Sequence, residues 1–104
     1  MSQKAISNLL NLKGRVYVYL ADEETGKQFM QQAETEGFTF RDGVKPTQRD
    51  WDGILALNRD ITLNYVGFVG HMAFGAKAKK IGNEKLLRVD YKRYAAGEKH
   101  YLLK

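Results

Sequence analysis

The chain has no cysteine, one proline, two histidines and no long apolar run in its 104 residues. The missing cysteine excludes a disulfide framework, a thiolate zinc site and a cysteine nucleophile together. A fold that needs no disulfide suits the cytoplasm, which is the expected location. Near the N-terminus Ile6, Leu9, Leu10 and Leu12 are separated by polar residues, and no later stretch approaches the length that crosses a bilayer, so no membrane contact is expected. His71 and His100 are the only imidazoles. They lie far apart, without neighbouring carboxylates at ligand spacing, so no metal site is expected. Gly67-Phe68-Val69-Gly70, followed by Gly75, lacks the lysine and hydroxyl of a P-loop. Its apolar fillers also depart from the basic or polar residues of a KH-type clamp. No cofactor is expected.

The ingredients of an enzyme are equally sparse. Asp22, Glu23 and Glu24 form an acidic cluster, but opposition to a helix N-terminus accounts for it. Asp50 and Asp52 flank Trp51 and read as turn-forming aspartates beside an anchoring ring rather than a general acid–base pair. A nucleophile, a base and an orienting group are not assembled, so catalysis is not expected. His71 with Asp50 or Asp52 is the one pairing to examine.

What is present is one domain, spanning residues 1–104, of ordinary globular composition: 43% hydrophobic and 12% aromatic. Val16 to Leu20 is a β-branched and aromatic run, the composition of a strand. Asp22 stands at a helix N-cap; Gly26, Phe29, Met30 and Ala33 recur at helical spacing, and Gly37 supplies the stop. Phe38 to Phe40 resumes a strand and Asp42-Gly43 turns the chain, completing a β-α-β unit. Upstream, Ser2 caps a short helix with an apolar stripe from Ala5 to Leu12, which reads as core packing rather than a free arm. Downstream, Val44 to Gly53 is a loop around Pro46. Ile54–Leu57 and Ile61–Val66 form a hairpin about Asn58-Arg59-Asp60, with Ile61, Leu63 and Tyr65 expected to face the core. Gly67 to Lys80 is compatible with a short helix or an ordered loop. Ile81-Gly82-Asn83 turns into a last strand, Leu86 to Tyr91, on which Arg88 and Asp90 are expected to face water. Tyr94, Ala95 and Ala96 suit a helical turn stopped by Gly97. The fold expected is α+β: a mainly antiparallel sheet of four or five strands, one principal helix on one face and a short N-terminal helix.

Charge is the feature that points to a partner. Residues 1–76 carry 8 basic and 9 acidic side chains, and residues 77–104 carry 9 basic and 3 acidic. The last quarter alone therefore has a net charge of +6, which directs attention to a polyanion, nucleic acid or a nucleoprotein first. Its cations interleave with tyrosines, pairing phosphate attraction with rings on which unpaired bases can stack. Lys77, Lys79, Lys80, Lys92, Arg93, Tyr94 and Tyr101 are the candidate site, with the lysines converging on one surface and Tyr94 or Tyr101 accessible within it. The alternative is a protein-protein effector, such as an inhibitor of a host enzyme, or a self-associating structural protein.

Val16–Leu20, Asp22–Glu24, Gly37–Phe40, Gly43-Val44-Lys45-Pro46 and Leu87-Arg88-Val89-Asp90-Tyr91 together resemble a group of small uncharacterised proteins encoded by phages and integrative elements of Gram-positive bacteria. The similarity spans about residues 15 to 94. It implies a compact α+β domain with an accessory role on a mobile element, and it brings no catalytic residues.

Overall fold

Val16 and Val18, the β-branched residues of the first strand, lie fully inside the domain, and the sheet is built outward from them. The computed structural model describes residues 5–51 and 53–103. Its strands are β1 (Arg15–Tyr19), β2 (Thr39–Phe40), β3 (Ile54–Asn58), β4 (Thr62–Tyr65), β5 (Lys80–Ile81) and β6 (Glu84–Asp90). Its α-helices are α1 (Glu23–Thr35), α2 (Gly67–Gly75) and α3 (Tyr91–Ala95), with 3-10 helices at Ile6–Asn11 and Pro46–Gln48.

The fold is α+β, and its sheet is six-stranded and mixed, in the order β2-β4-β3-β1-β6-β5. β1 pairs antiparallel with β3 and parallel with β6; β3 with β4 and β5 with β6 are antiparallel, and β2 with β4 is parallel. The expectation of four or five mainly antiparallel strands thus misses the two parallel pairings. Both arise from crossovers: α1 carries the chain from β1 across to β2, and the return to β6 places it beside β1. The β3–β4 hairpin sits between β1 and β2, so the β-α-β unit is split. Both edge strands are only two residues long, which leaves little backbone for another chain to pair with.

Strand alternation sends side chains to two layers. Val16, Val18, Leu20, Leu55, Leu57, Leu87 and Val89 face α1, α3 and the N-terminal 3-10 helix, where Phe29, Met30, Ala33, Ile6, Leu9, Tyr91 and Tyr94 complete the main core. Asp22 caps α1 by accepting from the Thr25 N–H at 2.8 Å. Thr25 supplies the largest influence holding this carboxyl below its ordinary value, with Lys92 adding to it. The Trp51 indole lies on α1 at Gly26, where a Cβ would stand 2.5 Å from the ring.

The N-terminal segment is packed, as its apolar stripe implies, but as a 3-10 helix rather than an α-helix; Ser2 lies outside the described residues. Glu36 accepts from the Ile6 and Ser7 N–H groups at 2.7 and 2.8 Å, capping this helix from the far end of α1. Burial pushes the Glu36 carboxyl up, but these bonds and one from the Gln32 amide outweigh it and hold the carboxyl below its ordinary value. The Tyr94 hydroxyl donates to the Ala5 carbonyl at 2.6 Å. Tyr91 meets Phe29 edge-on, with ring centroids 5.0 Å apart. Its hydroxyl is buried without a partner among the described residues. Burial, then Glu36 and Tyr94, pushes that phenol up to about 12.

The opposite face is only partly covered. Gly67–Gly75 is a helix, and its Phe74 packs with Tyr17, Ile54, Ala56 and Leu86 in a smaller cluster. Toward β4 the same face turns polar: Asn58, buried, accepts from Arg15 at 3.0 Å and donates to Thr62 and Asn64. In the hairpin Leu63 faces the core as expected, but Ile61 and Tyr65 are exposed. Ile61 sits in the turn with φ of 64°, which takes it out of the strand's alternation. Tyr65 closes the end of the sheet, stacking on Phe40 at 5.4 Å and donating to the Asp50 carbonyl. No helix among the described residues is long and apolar enough to cross a membrane.

Candidate functional site

The outer edge of β6 is shared by two segments that do not meet. Before the β5–β6 turn, the Lys79 carbonyl accepts from the Leu86 N–H at 3.0 Å. After α3, the chain returns antiparallel to β6, bridging Leu102 to Val89. The Tyr101 carbonyl there accepts from the Asp90 N–H, and the Leu103 N–H donates to the Arg88 carbonyl. Between these segments an open groove of about 650 Å³ remains over Lys85–Arg88, walled by Lys77–Lys79 on one side and Lys99–Leu103 on the other.

Its lining is cationic around an apolar floor. Lys77, Lys79, Lys85, Arg88 and Lys99 contribute five positive charges, Leu86, Leu87, Leu102 and Leu103 the apolar surface, and no lining residue is acidic. Arg88 is the unusual member. Sequence alternation places it on a solvated face, whereas it is only 8% exposed, because α2 and the C-terminal segment cover that face. Its guanidinium lies 5.4 Å from the Phe74 ring centroid and donates to the Phe74 carbonyl at 3.5 Å, near the C-terminal end of α2. That helix end favours a cation. No carboxylate among the described residues lies within ion-pair distance of Arg88.

The candidate residues from sequence divide between this groove and α3. Lys77, Lys79 and Tyr101 line the groove. Lys80 is exposed on β5 beside it, paired with Lys85 in the ladder. Lys92 and Arg93 are not lining residues: they stand on α3, Lys92 against Asp22 at 3.5 Å and Arg93 against Asp90 at 3.6 Å. Arg93 also donates to the His100 carbonyl at 3.4 Å, bracing the groove wall from outside. Tyr94 offers no accessible ring. It is buried in the main core, and packs edge-on against Tyr101 with centroids 4.9 Å apart. Burial, then Tyr101 and Glu36, raises its pKa. The expectation of an exposed Tyr94 is therefore corrected: α3 begins at Tyr91, which turns Tyr94 inward with it, one helical turn on. Tyr101 is half-buried.

Lys85, Arg88 and Lys99, cations of the same basic tail outside the seven candidates, and His100 complete the groove. Lys85 and Lys99 belong to the basic tail, but only the C-terminal return, which no turn signal in Lys99–Lys104 announces, brings Lys99 opposite Lys77. His71 is exposed on α2 and Asp50 is exposed in its loop, while Asp52 lies outside the described residues. No group of three or more potential metal ligands forms among the described residues.

No protein-family model, no curated protein and no solved structure matches the chain.

Proposed function

We propose that this domain is a non-enzymatic binding module that holds nucleic acid, free or in a nucleoprotein, in the groove beside β6. The observation that carries the reading is the meeting of Lys77, Lys79, Lys85, Arg88 and Lys99 around one concavity with no acidic lining. Five cations from three separate segments create a local positive field that a uniform solubilising coat does not. Tyr101 and the leucine floor supply surface for the uncharged part of a nucleotide. The resemblance to mobile-element proteins fits an accessory role of this kind.

Phosphate neutralisation releases condensed counterions, so affinity falls with salt in proportion to the contacts made. Fluorescence anisotropy with a labelled oligonucleotide, titrated from about 50 to 200 mM salt, should give a log–log slope of about −3 if most of the five cations engage phosphates. Salt-independent binding, or none at the lowest salt, contradicts the reading.

A second reading, a protein-protein effector, draws on α2. Phe68, Val69 and Met72 are 79%, 73% and 58% exposed on a helix with no charged side chain. Three side chains are a small part of a standard interface. Sedimentation across a range of protein concentrations separates self-association through this patch from a chain that stays monomeric.

A further inference from the structure

Resting on the nucleic-acid reading above, we propose that the groove selects an unpaired strand over a duplex, and that Arg88 is the residue that makes the selection. The cations of the site stand at two depths. Lys77, Lys79, Lys85 and Lys99 are exposed around the opening, where the phosphates of any nucleic acid, single or double, reach them. Arg88 is recessed beneath, nine-tenths buried, and held in place by the ring and carbonyl of Phe74.

A guanidinium so deeply buried is costly unless something compensates its charge. The carbonyl end of α2 does so in part, through one long hydrogen bond, and no carboxylate completes the set among the described residues. An anion entering the groove would supply the missing partner, and the planar guanidinium suits a phosphate. Only a flexible strand can deliver one there. A duplex presents its phosphates on stiff outer rails and hides the faces of its bases. It would meet the lysine rim and leave both Arg88 and the leucine floor unused. An unpaired strand can seat one phosphate at Arg88 while a neighbouring base covers Leu103, which packs with Leu86 on the same face of the sheet as Arg88. The lining agrees: its floor is an edge of β6 and one wall is the return that bridges Leu102 to Val89, the setting of single-strand readers, and none of its lining residues lies on a helix that could enter a major groove.

The test uses the full chain, a fluorescein-labelled strand of about twelve thymidines, and a labelled duplex of the same length. The single strand should bind about a hundredfold more tightly at one ionic strength, since stacking and a charge-assisted contact each supply about tenfold. Arg88→Met, which keeps the stem and removes the charge, should remove about tenfold of single-strand affinity and leave the duplex unchanged. Because Arg88 is buried, thermal unfolding must show that this variant folds. Leu102→Glu is the second probe, since it places a carboxylate in the groove from an exposed position and should reproduce the loss. Equal or tighter duplex binding, or a folded Arg88→Met whose losses on the two probes are the same, overturns the inference and leaves the nucleic-acid reading standing. Binding of neither probe overturns both.

Discussion

The sheet face under α1 is sealed by Ile6, Leu9, Phe29, Tyr91 and Tyr94, all nearly or fully buried; Glu36 pairs there with the Ile6 and Ser7 N–H groups and Tyr94 with the Ala5 carbonyl, while the Tyr91 hydroxyl has no partner among the described residues. The face under α2 and the adjoining edge of β6 are finished otherwise. There an apolar helix leaves Phe68 and Val69 in water, an arginine is buried without a carboxylate among the described residues, and lysines ring an open groove. One side closes over its core apart from the Tyr91 hydroxyl; the other leaves charged and apolar groups at an open surface that a partner could cover. Stability should accordingly respond to changes on the first side, and binding to changes on the second.

The hardest test of the scaffold lies at the seam between β1 and β6, which joins the two regions. Gly14 has φ of +146°, and a Cβ there would stand 2.4 Å from the Lys85 carbonyl oxygen. Gly14→Ala should cost about 3 kcal/mol in denaturant unfolding, because the obstacle is backbone and cannot turn aside. It should also weaken the groove, whose floor begins at Lys85. Gly26→Ala isolates the sealed face. In an exposed helix this change would gain about 1 kcal/mol, but here the methyl meets the Trp51 indole, so a net loss of about 1–2 kcal/mol is expected. Oligonucleotide affinity of the folded variant should not change. A gain in stability would show that Trp51 does not pack on α1 as described.

Glu36 gives the smaller, pH-dependent effect. Its folded pKa lies below the ordinary 4.5, so between the two values the unfolded chain binds the proton more readily. The stabilisation is then fully present above pH 4.5 and is lost as pH falls through the folded value. Glu36→Gln should cost about 1–2 kcal/mol at neutral pH, with the difference from wild type closing in acid. Chemical denaturation as a function of pH measures it, and a gap that persists below the carboxylate range would contradict the capping role.

How much of this could be read in advance follows from where the information sits. Local signals worked: the Asp22 cap, the run from Val16 to Leu20 and the stop after α1 are each written within a few residues. Facing within the hairpin held for Leu63 and failed for Ile61 and Tyr65, because a turn conformation and an end-of-sheet stack override period-two alternation. The site was half legible. The basic excess of the last quarter pointed to a segment whose residues converge in part, since Lys77, Lys79 and Tyr101 line one groove. Charge count, however, cannot tell a free cation from one already matched. Lys92 faces Asp22, seventy positions away in sequence, a pairing that only the packing of α3 on α1 creates. Arg88 was misplaced for a similar reason: the cover over its face comes from α2, whose helical state the glycine-broken sequence left open.

Lys77 with Lys99, and Lys92 with Arg93, are therefore equal in formal charge and unequal in setting, and exchanging them for acids tests the account directly. Lys77→Glu/Lys99→Glu and Lys92→Glu/Arg93→Glu change net charge by the same amount, so any difference between them reports position rather than total charge. With folding of both checked by thermal melts, anisotropy titrations of a labelled single strand should show a loss of about a hundredfold for the first pair and little change for the second. Equal losses in the two variants would mean that the charge acts as a diffuse coat, and would contradict the groove as the site.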